Sequence, residues 1–214
     1  MATSNATKAG AAIFVGTVQF GILLIVSEIL YTQYGTLNTA GSGNTTGYVY
    51  SVAANYVSVL GANCRTTCTA VPSAYLFDSS IAFLGLMILV GAFYLGRAFH
   101  YMPATIMVAL AGVGALGVGL FPETTGVFHD IFSLWVFLFA GLSGLVAARL
   151  AKKPMFYFSI ILGLLTLAAL VLFIGGDYLG LGPGGMERMV VYPTLLWALG
   201  FGGHLMGQDD WPKG

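Results

Sequence analysis

MFYFSIILGLLTLAALVLFI, residues Met155–Ile174, is a run of twenty residues without one acidic or basic side chain. A helix of about 20 apolar residues crosses a hydrocarbon core of roughly 30 Å. This run has that length, and it offers no polar face that a soluble domain could turn to water. Five further stretches repeat the pattern: Ala11–Leu30, Leu76–Leu95, Ala104–Phe121, Ile131–Leu150 and Met189–Met206. Pro103, Pro122 and Pro154 stand at their boundaries, where a missing N–H and ring sterics discourage helix continuation. Gly175–Gly176 and Gly207 follow the fifth and sixth spans. The third span carries Gly112, Gly114, Gly117 and Gly119, bare backbone that lets neighbouring helices approach closely.

Composition agrees. The chain is 57% apolar, and only 7% of its residues are Asp, Glu, Lys or Arg, against about 25% in soluble domains. So few charges cannot cover the surface of a soluble globule. A soluble enzyme is excluded, and so is a nucleic-acid binder, which would also need a basic patch. The expected fold class is all-α: an integral membrane bundle of six transmembrane helices, one transmembrane domain over residues 1–214, with one long extracytoplasmic loop at 31–75. With the N-terminus in the cytoplasm, Lys8, Arg97, Arg149, Lys152, Lys153 and Lys213 lie inside, and Arg65 and Arg188 outside. That bias orients a cell-membrane protein with both termini cytoplasmic. The first span has no small-residue cleavage site and reads as a retained helix rather than a signal peptide.

Within the long loop, Asn38–Gly47 is small and polar, whereas Val49–Leu60 is apolar enough to lie on the bilayer or over the bundle as a short helix. Cys64 and Cys68, the chain's only cysteines, fall in this extracytoplasmic loop and are expected to form a disulfide. Asn44-Thr45-Thr46 is a glycosylation acceptor sequence on the same side. Asn5-Ala6-Thr7 matches that pattern but is assigned to the cytoplasm and set aside.

The acids are unevenly placed. Glu28 ends the first span and Asp78 opens the second; Glu123 follows the third; Asp130 opens the fourth beside His129; Asp177 follows the fifth; Glu187 and Arg188 open the sixth. These six carboxylates form one outer layer, and only Asp209 and Asp210 fall inside. Charges at membrane depth face the bundle interior, a partner or a water-filled cavity. Three chemistries fit. The first is a structural network in which Arg188 neutralises Glu123 or Glu187 and Asp130 favours its helix N-terminus. The second is a divalent-metal site built from Glu123, His129 and Asp130, with a metal-activated hydrolase as its special case. The third is proton or solute handling by Glu28 and Asp78. His100 and His204, both near the inner surface, raise haem ligation as a further alternative. His129 and Ser133 share a helix face, a spacing too common to mark a catalytic pair. No P-loop, nucleophile elbow, HExxH or dinucleotide fingerprint occurs.

Leu120-Phe121-Pro122-Glu123 followed by His129 resembles the central motif of the family called domain of unknown function 998 (DUF998). Gly185-Met186-Glu187-Arg188, Tyr192-Pro193 and Leu195-Leu196-Trp197 are similar to that family's pattern at the start of its last helix. Phe77-Asp78 with Gly85-Leu86 is similar to its second helix, where the position of Asp78 is often Asn or another polar residue. The resemblance runs from about Ala11 to Gly207. It implies a small six-helix membrane protein of a kind common in archaea and bacteria, and it carries no activity with it. Its polar signature positions fall on Glu123, His129, Glu187 and Arg188, the groups that topology alone places in the outer layer.

The leading expectation is therefore a non-catalytic accessory or structural subunit of a membrane complex, with an outward-facing acidic and histidine cluster. Its expected partners are the lipid bilayer and either other membrane proteins or further copies of itself, with no nucleic acid and no cofactor. The rival is a small transporter or metal-dependent membrane enzyme using Glu28, Glu123, His129 and Asp130. A haem-binding electron-transfer subunit is third.

Overall fold

The computed structural model describes residues 4–34, 50–62 and 72–208. Cys64, Cys68 and Asn44, and with them the expected disulfide and glycosylation site, lie outside the described residues. The helices are α1 (Asn5–Tyr34), α2 (Pro72–Phe99), α3 (Met102–Leu120), α4 (Val127–Ala147), α5 (Met155–Gly175) and α6 (Gly182–Met206). A strap, Tyr50–Ala62, lies between α1 and α2 in the chain and contains a 3₁₀ turn at Ser58–Gly61. No strand occurs among the described residues. All six helices are long and apolar enough to cross a membrane, and the chain is a multi-pass membrane protein.

Several helices extend beyond the apolar runs. α1 continues past Leu30 to Tyr34, α2 starts at Pro72 rather than Leu76, and α6 starts at Gly182 rather than Met189. Pro72 is the first residue of α2, and α3 and α6 both carry proline in their first positions. Proline suits a helix start because its fixed φ is helical and its missing N–H would be unpaired there anyway. The Gly182-Pro183-Gly184-Gly185 stretch therefore has loop composition and helical structure. The consequence is functional: Glu28, Asp78, Glu187 and Arg188 sit one to two turns inside helices instead of at their tips.

Helices adjacent in the chain are neighbours in space, and α1 closes against α6, giving a ring. α4 and α6 also touch, which puts α5 behind them. At one end the core is built from Ala9, Leu95, Ala104, Ala147, Met155, Phe201 and Leu205. At the other, Phe20, Leu24, Phe77 and Val118 pack with Val57 and Leu60 of the strap. The strap is thus part of the core at that end.

Close approach holds the ring together. A Cβ on Gly85 would fall 2.8 Å from the Gly112 carbonyl oxygen, so α2 and α3 meet backbone to backbone. Gly10 of α1 and Gly202 of α6 make the same contact, at 2.5 and 2.9 Å from each other's carbonyl oxygens. Gly85→Ala should lower stability by about 1–3 kcal/mol, because the intruding atom meets main chain that cannot rotate away. Gly21, with open space at its Cβ, is the control: Gly21→Ala should leave thermal unfolding in detergent unchanged or slightly raised.

Candidate functional site

Arg188 is 4% exposed, one and a half turns into α6. Its Nη1 donates to the carbonyl oxygens of Val52 (2.9 Å), Asn55 (3.0 Å) and Gly184 (3.0 Å). Its Nη2 donates to Glu28 Oε1 at 2.7 Å and to the Tyr50 hydroxyl oxygen. Tyr50 donates to the same Glu28 oxygen at 3.0 Å. One guanidinium therefore ties α1, the strap and the first turn of α6 together. A buried charge needs a partner and further hydrogen bonds to be tolerated, and this one has both. Burial pushes the Tyr50 phenol above the usual tyrosine range, opposed by the Arg188 charge and reinforced by Glu28.

Glu187, also 4% exposed, accepts from the Val57 N–H at the start of the strap's 3₁₀ turn. The first N–H groups of α6 find an acceptor in the strap: Gly184 donates to the Ala53 carbonyl at 2.9 Å, and Gly185 to the same oxygen at 3.4 Å. Such groups are otherwise orphaned at a helix start. Gly184 has to be glycine, since its Cβ would strike the Asn55 carbonyl and lie 2.7 Å from the Val52 oxygen. At the strap's far end Gly61 passes directly over the Asp78 carboxylate. Glu28, Glu187 and Asp78 are in this way the three carboxylates beneath the strap.

The remaining expected site residues sit at the junction of α3 and α4, where the turn that carries Glu123 touches the strap's 3₁₀ turn. His129, 4% exposed, donates from Nδ1 to the Phe121 carbonyl at 2.8 Å and fastens the end of α3 to the start of α4. Its Nε2 is buried without a hydrogen-bond partner. Asp130 is exposed in the first turn of α4, and Glu123 occupies a 3₁₀ turn between α3 and α4. Among the described residues no three His, Cys, Asp or Glu side chains come together as a metal-ligand set. The anticipated pairing of Arg188 with Glu123 or Glu187 is corrected to Glu28: the guanidinium reaches across to α1, while Glu187 turns to the strap backbone. Of the two histidines considered for haem, His204 accepts from the Lys152 N–H at 3.1 Å through Nε2, and His100 is exposed at the end of α2.

Beneath the strap lies a cavity of about 110 Å³. Its wall is drawn from α1, α2, α3, α4, α6 and the strap; Phe20, Phe77, Ala115, Val136, Trp197 and Val57 represent them in that order. Among the described residues Glu187 is its one ionisable lining residue. The lining hydroxyls of Thr17, Ser143 and Thr194 each donate to a carbonyl of their own helix at 2.6–2.7 Å, which turns their polarity away from it.

The family model described as Protein of unknown function (DUF998) matches residues 42–204, which include the strap, α2 to α5 and most of α6. The chain belongs to this family. No curated protein and no solved structure matches it. The DUF998 match contains Tyr50, Val57, Asp78, Glu123, His129, Glu187 and Arg188, whereas α1 and its Glu28 precede it. Tyr50, Asn55, Val57 and Gly184 are absent from the residues singled out in the sequence. Tyr50, Asn55 and Val57 do fall within Val49–Leu60, the apolar segment expected on the bilayer or over the bundle.

Arg188→Ala should cost about 3 kcal/mol, the low end for breaking a buried pair, since Glu28 keeps 22% of its side chain exposed. Arg97, exposed and 4.7 Å over the Phe93 ring, should cost no more than about 1 kcal/mol as Arg97→Ala. Thermal unfolding of the two variants in one detergent compares them, and equal losses would argue against the clasp.

Proposed function

We propose that this DUF998 protein is a non-catalytic accessory component of the membrane that receives a small apolar group, such as the end of a lipid-like chain, in the chamber beneath the strap. The chamber carries this reading. Five of the six helices and the strap contribute to its wall, and an interior that packs to crystal density seldom keeps such a space. An engineered apolar cavity of roughly 150 Å³ stays dry and binds benzene. At about 110 Å³ this one suits a chain end or a branched terminus, not a whole lipid. Arg188, Glu28 and Tyr50 bond to the strap and to each other, which supports a structural role for the polar layer. In this reading the strap faces outward and both termini are cytoplasmic. Lys8, Arg97, Arg149, Lys152 and Lys153, all near the end of the bundle away from the strap, support that orientation.

Photolabelling tests the proposal. A short alkyl diazirine, equilibrated with the protein in lipid nanodiscs, should mark chamber-facing positions of α4 and α6 such as Val136 and Val191, in addition to lipid-facing ones. Ala198→Leu, which narrows the chamber from a buried wall position, should remove the chamber labels and spare the lipid-facing ones. Absence of chamber labels in the wild type, or their persistence in a folded Ala198→Leu protein, would overturn it.

A further inference from the structure

The chamber has a polar end. Glu187 of α6, Ser58 of the strap and Ser133 of α4 all line it. They stand at the level of the strap. The Val57 N–H bonds to Glu187, and Ser58 follows Val57 in the chain. Phe132 and Val136, on either side of Ser133, pack against the cluster that holds Val57 and Leu60. Toward the other end the wall includes Val108, Ala111 and Ala198, which carry no polar side-chain atom.

Ser133 differs from the helix hydroxyls around it. Thr17, Ser143 and Thr194 donate to carbonyls of their own helices, whereas among the described residues the Ser133 hydroxyl has no hydrogen-bond partner. A hydroxyl left unpaired beside an apolar space is unfavourable. Glu187 accepts from the Val57 N–H, and a carboxyl group keeps further accepting capacity in either protonation state. This chemistry narrows the occupant. An anionic head would meet Glu187, with no cation among the described lining residues. An ammonium brings three N–H donors, and a wall this apolar would leave part of its charge unsatisfied. One hydroxyl needs only an acceptor or a donor, and this end of the chamber offers both.

We propose that the chamber takes an uncharged alcohol, a short or branched carbon chain ending in one hydroxyl. The hydroxyl sits at the strap end, bonded to Ser133 beside Glu187, and the chain points toward Val108 and Ala198. This assignment rests on the reading of the chamber as a site for a small apolar group, and it adds the ligand's polarity and direction. Apolar burial supplies most of the affinity, and the single hydrogen bond selects the alcohol over a hydrocarbon of the same shape.

Two photoprobes, applied to the full-length protein in lipid nanodiscs, decide the matter: a short alkyl diazirine with a terminal hydroxyl, and the same diazirine ending in a methyl group. Both should label the chamber of the wild type. The readout is the ratio of alcohol to hydrocarbon labelling there, because each probe partitions into the same bilayer for every variant. Ser133→Ala should lower that ratio about 2- to 10-fold, the loss of one neutral hydrogen bond. Thr194→Val removes a hydroxyl already committed to the Val191 carbonyl and should leave the ratio unchanged. Chamber labelling by neither probe would overturn the reading of the chamber and this assignment with it. Labelling by both, with a ratio that Ser133→Ala leaves unchanged or that Thr194→Val lowers instead, would overturn the alcohol alone.

Discussion

A guanidinium surrounded by helices keeps its charge, so acceptors must come to it, and in this chain they come from three directions. Glu28 is brought by α1, the Val52 and Asn55 carbonyls by the strap, and the Gly184 carbonyl by the turn of α6 below. Supplying them dictates much else. The strap must cross the bundle end at the height of Arg188. α6 must begin with a stretch that has no side chains in the way, which is why Gly184 lies under the Asn55 carbonyl. Once there, the strap presents Val57 and Leu60 to the core and its Val57 N–H to Glu187. Charge satisfaction and hydrophobic burial thus act on the same segment and reinforce each other.

The helices were legible in the sequence because crossing a bilayer is a one-dimensional demand on length and apolarity. Their polar ends were not. Gly182-Pro183-Gly184-Gly185 has the composition of a loop, and only contact with the strap, remote in sequence, makes it helix. For the same reason Glu187 and Arg188 read as tip residues when they are buried. The layer of acids was visible as a layer, since topology sorts residues by depth, but depth says nothing of direction around the axis. Ring order decides that Arg188 meets Glu28 and not Glu123. His129 illustrates the same limit: its place beside Asp130 suggested a metal set, and its Nδ1 instead holds the Phe121 carbonyl.

The ring also accounts for the space at its centre. Glycine contacts such as Gly85 with Gly112 and Gly10 with Gly202 draw adjacent helices together along the perimeter, while small residues such as Ala111, Ala115 and Ala198 line the interior. The outside of the ring obeys a different rule. Lipid accepts any apolar side chain there without preference, and Val15 and Ile22 of α1 are among those exposed to it. Clasp and chamber are consequences of one arrangement, read at its end and at its centre.

The central claim is that Arg188 and Glu28 act as one unit holding the strap. A double-mutant cycle addresses it directly: Arg188→Ala, Glu28→Gln and the double variant, each unfolded in the same detergent. The account predicts strong non-additivity, the double variant losing less than the sum of the singles by about 1–3 kcal/mol. Losses that simply add would contradict it, leaving Arg188 and Glu28 as neighbours without a shared task.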